Sequence, residues 1–117
     1  MADPRIRTIK IKTGVVKRLA KEKTVYEREA EQQKERIEKL KRDKRDEYEI
    51  RKQEEVLNES LMMVPDCQRR LLVAFEELKG ILDTEQDLKD SEDYVAAYKA
   101  LEEAKPQLPK AGEVHMC

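Results

Sequence analysis

The side chains able to do chemistry are few and scattered. The only histidine, His115, stands beside Met116 and Cys117, and a second cysteine, Cys67, lies far upstream. A His-Met-Cys end could hold a soft metal, but two or three ligands at a chain terminus make a poor site. Cys67 falls on an apolar seam, where a thiol serves as a small hydrophobe and not as a nucleophile. There is no Gly-rich phosphate loop, no Cys-X-X-Cys pair and no His-Glu-X-X-His motif. Carboxylates occur throughout, on helix faces where their ordinary role is solvation. Catalysis needs convergent groups in a concave pocket. The expectation is therefore no enzyme, no cofactor and no metal.

What remains is charge. Asp, Glu, Lys and Arg make up 44% of 117 residues and aromatics 4%, with three Gly and four Pro. That excludes strand-rich folds, which need more turn residues and more apolar volume, and it limits the chain to one domain. The 25 basic and 26 acidic residues nearly cancel, but they are segregated. Residues 5–23 hold eight Lys/Arg and one acid, whereas residues 76–103 hold ten acids and three Lys. The basic segment lacks interleaved aromatics for stacking, and an adjoining acidic segment opposes phosphate binding, so no nucleic acid is expected. No apolar run is long enough for a membrane span, and cysteines without a short-spaced framework fit a reducing cytosol.

The elements that position these groups are helices. Asp3-Pro4 is a capping pair. From there Ile9, Lys12, Val16, Leu19, Lys23, Tyr26, Ala30, Gln33, Ile37, Leu40 and Lys44 recur at steps of three and four, seven of the eleven apolar, a heptad seam. Gly14 interrupts it at a cost of ~1 kcal/mol. A helix over 4–43 is predicted, ~60 Å long. Asp46 with Glu49 reads as a capping box for a second helix over 47–82, with Ile50, Leu57, Val64, Cys67, Leu71, Leu78 and Ile81 on its seam. Pro65 inside it predicts a kink. A third helix over 85–105 has two candidate starts, Asp83-Thr84 and Ser91, and its face carries Leu88, Val95, Tyr98 and Leu101. Residues 106–117, with Pro106 and Pro109, read as a disordered tail.

Short connections give an all-α, elongated up-down-up three-helix bundle over 1–105. Leu71 then lies level with Leu19, and Leu78 with Lys12, so the acidic stretch flanks the basic one. The third helix covers only part of the rod. Tyr26, Ala30, Ile37 and Leu40 on one side, and Ile50, Leu57, Leu61 and Met62 on the other, should border a partly open groove. Uncovered apolar residues of this kind mark an interaction surface, and Met suits clients of variable shape.

Four strings carry a resemblance: Met1–Glu22 (MADPRIRTIKIKTGVVKRLAKE), Tyr26–Leu40 (YEREAEQQKERIEKL), Met62–Leu71 (MMVPDCQRRL) and Ile81–Tyr94 (ILDTEQDLKDSEDY). Across residues 1–105 the chain resembles the tubulin-binding cofactor A family. The resemblance implies a chaperone that captures quasi-native β-tubulin released from the cytosolic chaperonin. It would hold that folding intermediate for α/β-tubulin heterodimer assembly and meet other tubulin-folding cofactors indirectly. It also implies a cytoplasmic, cytoskeleton-associated monomer acting without nucleotide, and contacts made by the helical rods more than by loops. The Ala2 start suggests loss of Met1 and N-terminal acetylation. The turn Lys41–Glu47 is more basic, and the tail longer, than the family pattern.

On this basis Tyr26, Ile37, Leu57, Met62 and Met63 are expected to give apolar contact. Lys17, Lys21, Arg69 and Arg70 are expected to steer an acidic client. The competing readings are intramolecular pairing for Arg69 and Arg70, and a core place for Tyr26. The alternative function is a coiled-coil scaffold or adaptor.

Overall fold

Asp3 opens the first helix: its Oδ1 accepts from the Arg5 N–H at 2.9 Å, and Pro4 takes the first helical position, where a missing N–H is harmless. The computed structural model describes residues 3–109. Among them are three α-helices and no strand: α1 (Pro4–Arg42), α2 (Glu47–Thr84) and α3 (Glu92–Ala104). Short 3-10 turns cover Gln86–Leu88 and Lys105–Gln107. The described part measures 64 × 29 × 18 Å, the proportions of a rod.

The turn after α1 is closed without glycine. Lys44 adopts φ 56°, and the Arg45 N–H donates to the Leu40 carbonyl at 3.0 Å, satisfying an end group that the helix leaves open. Asp46 then caps α2 by accepting from the Tyr48 N–H at 3.1 Å. The two helices meet in register around this turn. Lys41 pairs with Glu54, Lys12 with Glu77, and Arg5 with Glu85. Helix α3 lies beside the first half of α1: Lys10 pairs with Asp93, and Lys23 donates to Gln107 Oε1 at 3.3 Å.

The core follows this coverage. Ile9, Val16, Leu71, Leu78, Leu82 and Ala97 are sealed where three helices meet. Each large aliphatic side chain there contributes about 1.5–3 kcal/mol on burial. Here the core is wider than a two-position seam: Thr13, not Lys12, is buried, with its hydroxyl donating to the Ile9 carbonyl at 2.7 Å. Nearer the first turn only Ala30, Gln33 and Ile37 of α1 are buried, and α2 buries nothing between residues 47 and 66. Gln33 spans that stretch by donating to the Gln53 carbonyl at 2.9 Å and to Gln53 Oε1 at 2.7 Å.

Several sequence expectations are refined. The third helix starts at Glu92 and not at 85, because the Ser91 hydroxyl accepts from the Tyr94 N–H while residues 86–88 form a tighter turn. Tyr94 fastens this junction by donating its hydroxyl to the Leu82 carbonyl at 2.8 Å. α2 runs two residues past the expected end, and it continues through Pro65. Pro65 sits on an exposed face, and Leu61, whose carbonyl loses its helical donor, is 40% exposed, so water can reach it. Packing also crosses the expected start of the tail: Leu108 is half-buried against the core and Gln107 meets Lys23. The remaining tail, 110–117, lies outside the described residues, as does Ala2.

Candidate interaction surface

Helix α2 alternates a buried stripe with an outer one. Met62, Asp66, Arg69, Arg70, Val73 and Glu77 recur at spacings of three and four, so they share one face. On α1, Ile11, Val15 and Leu19 do the same. Where these faces adjoin, a groove forms between Val15, Leu19, Val73 and Ala74, rimmed by Lys12, Asp66, Arg69, Arg70 and Glu77. A second groove follows along the same pair, lined by Tyr26, Glu59, Ser60, Met62 and Met63. A third, on α1 alone, joins Tyr26 to Arg18, Lys21, Glu22, Val25 and Glu29. None of the three is lined by α3.

The structure brings some of the expected contact residues together and separates others. Tyr26, Met62 and Met63 line one groove, with Met62 71% exposed. Tyr26 is half-buried, between the contact and core readings. Arg69 and Arg70 share the neighbouring groove, and both reach Asp66, at 3.3 and 3.1 Å. The pairing reading therefore holds for them, yet both remain exposed. Lys21 joins Tyr26 in the third groove, whereas exposed Lys17 lines none of the three.

Ile37 is 5% exposed, so it does not border an open groove. A seam residue of a two-helix coil sits in a hole made by the facing helix and needs no third helix to cover it. Leu57 is half-buried and lies outside the three grooves. Sequence reasoning missed Val73, 59% exposed, and Ile11, 57% exposed. Their signal was available: both are apolar residues standing off the seam, where a charged residue would be ordinary.

Electrostatics here is pairing, not activation. Hydrogen bonding to Arg5 holds the Asp3 carboxyl below its usual range, and the Arg5 guanidinium is raised through Asp3, Asp87 and Glu85. Burial pushes the Cys67 thiol up, away from the reactive thiolate. Among the described residues no cluster of three or more His, Cys, Asp or Glu side chains is placed to hold a metal ion. No described helix is long and apolar enough to cross a membrane.

Comparison with known proteins gives one family. The family model described as tubulin binding cofactor A matches residues 4–101. Tubulin-specific chaperone A of Gallus gallus is 58% identical over 105 residues, covering 90% of this chain and 97% of that protein. The solved structure of human tubulin chaperone cofactor a superposes with a TM-score of 0.76 at 53% identity, covering 87% of this chain and 99% of that one. Tubulin folding cofactor A from Arabidopsis thaliana gives a TM-score of 0.80 at 36% identity, covering 88% and 97%.

Proposed function

The chain belongs to the tubulin binding cofactor A family, and from that premise we propose that it is a tubulin-folding chaperone which captures β-tubulin. In this reading the client is a quasi-native intermediate released from the cytosolic chaperonin, held for α/β-heterodimer assembly and passed to other folding cofactors. The protein acts as a cytoplasmic, cytoskeleton-associated monomer. Holding requires no bond to be made or broken, so no catalysis or cofactor is invoked. The rod that does the holding is an up-down-up bundle over residues 1–105, bent at Pro65 to follow its neighbours.

The observation that carries the reading is the family match, which spans nearly the whole rod. Geometry supports the manner of capture. Side chains with flexible, polarisable reach, Met62 and Met63, stand at a groove beside Tyr26. Lys21, Arg69 and Arg70 are exposed along the same helix pair and can draw in an acidic client. Lys17, on α1, would add to the long-range field without touching the grooves. Leu57 contributes where the pair is uncovered, and Ile37 supports the pair from within.

The test is to incubate the protein with newly released β-tubulin or α-tubulin, without nucleotide, and to size the mixture natively. A stable β-selective complex is expected. Absence of a complex would favour a coiled-coil scaffold or adaptor.

A further inference from the structure

The two ends of the rod are held by different means. The core cluster draws on residues 9–20 of α1 and 71–82 of α2, and closes with α3 and Leu108. Charged ties between elements gather at the same end: Arg5 reaches Glu85 and Asp87, Lys10 reaches Asp93, and Lys12 reaches Glu77. Toward the first turn the rod is a hairpin of α1 and α2. Over residues 24–66 only Ala30, Gln33 and Ile37 are buried, and Ile37 is the one large apolar side chain among them. The facing seam of α2 is partly polar, with Gln53 and Ser60 set between Ile50, Leu57 and Val64. Among the described residues one ion pair crosses there, the exposed Lys41 and Glu54 at 3.7 Å. Gln33 sits at the middle of this hairpin. Its Nε2 donates to the Gln53 carbonyl and to Gln53 Oε1, while its own Oε1 accepts from Arg36 at 3.1 Å. A bonded polar side chain in a two-stranded seam fixes register but gives up the burial that an aliphatic residue would supply. The two regimes meet at a weak point. Pro65 offers the Leu61 carbonyl no donor, so α2 has one hydrogen bond fewer to break there. On α1 the tie to the three-helix end is Lys23, bonded to Gln107.

We propose that the rod is built of two cooperative units, and that the hairpin over residues 24–66 opens on its own while the three-helix end stays folded. Helices of about five turns are marginal in water without a packed face, so parting the seam melts both strands together. The open form bares Ile37, Leu40, Ile50 and Leu57, whereas Leu71, Leu78 and Leu82 remain sealed. Opening is a property of the chain by itself. It follows from the composition of the seam and needs neither a ligand nor a client.

The test is native-state amide hydrogen exchange on the full chain alone, repeated at low urea concentrations. Protection over 27–42 and 47–61 should be at least about a hundredfold lower than over 9–20 and 71–82. The hairpin amides should share one opening, with a urea dependence above zero but below that of the three-helix end. Equal protection along both long helices would overturn the proposal. So would protection that fades smoothly from the turn with no shared opening, which is fraying and not a unit. Two variants locate the seam as the cause. Gln33→Leu should slow hairpin exchange about tenfold by replacing a polar seam residue with an aliphatic one, and leave the three-helix end within about twofold of the parent. Ile37→Ala should speed hairpin exchange at least about tenfold, again without reaching the other end. An Ile37→Ala chain whose hairpin is melted while residues 71–82 stay protected supports the proposal. Either variant moving both ends equally, or Ile37→Ala unfolding the whole rod, would overturn it.

Discussion

Lys23 occupies a seam position that a hydrophobic residue would ordinarily fill, and replacing it tests how the three-helix end of the rod is specified. The residue is 7% exposed. Its ammonium reaches Glu27 at 3.0 Å and Gln107 Oε1 at 3.3 Å, where the chain closes over α1 after α3. The Glu27 side chain is 47% exposed, so water screens the ion pair and its contribution is at most about 1 kcal/mol. The Gln107 hydrogen bond adds about 0.5–1.5 kcal/mol. Against these stands the desolvation of an ammonium group, several kcal/mol before relaxation. Lys23→Met keeps the length of the side chain and removes the charge. The balance predicts a gain of about 1 kcal/mol, or about 4–8 °C in Tm for a domain of this size. Urea and thermal unfolding followed by circular dichroism measure it directly. In the parent, Glu27→Gln should cost up to about 1 kcal/mol, and in the Lys23→Met background almost nothing, which a double-mutant cycle reads. A loss of 1 kcal/mol or more in Lys23→Met would refute the reasoning and show that the buried contacts outweigh desolvation.

The backbone offers two further changes. A Cβ at Gly14 meets nothing within 4 Å, so Gly14→Ala should stabilise by about 1 kcal/mol, and Lys44→Gly should relieve the left-handed turn by a similar amount, both read by urea unfolding. Pro65→Ala restores a helical donor to the Leu61 carbonyl and should raise stability, by less than the ~3 kcal/mol of a buried site because Leu61 is 40% exposed. If Pro65 bends α2 and the bend shapes the capture face, the same variant should capture β-tubulin less well despite unfolding later. Asp3 is held below its usual range by Arg5, so its contribution is present above about pH 4 and lost as pH falls through the lowered folded value. Asp3→Ala should therefore flatten the acid limb of the stability–pH curve and leave the neutral plateau reduced.

How much of this was legible beforehand follows the physics of each element. The two long helices were readable because Asp3-Pro4 and Asp46 are unambiguous caps and the seams repeat for ten turns. The register was readable from segregated charge, and Lys12 does meet Glu77 and Arg5 does meet Glu85. The start of α3 was not, since Thr84 and Ser91 are equally good caps in isolation, and it takes the extension of α2 through Thr84 and the tighter turn over 86–88 to leave Ser91 as the cap. The position of Leu108 was hidden because two prolines and a polar neighbourhood outweigh one leucine locally. Tyr26, Met62 and Met63, which interrupt or flank a seam, do stand together at one groove. Ile37 was misplaced because its seam position says that it packs, not whether a third helix is needed to cover it. Val73 and Ile11 were passed over because they fall outside the heptad pattern that organised everything else.

Amide hydrogen exchange on this chain, alone and bound to β-tubulin, tests the account most directly, since it asks both whether the rod holds the client and where. Exchange should slow on binding over residues 11–26 and 59–77, the stretches lining the outer face of α1 and α2, with α3 unchanged. Protection confined to α3 or to the turn at 42–47, or none anywhere in a complex, would contradict it.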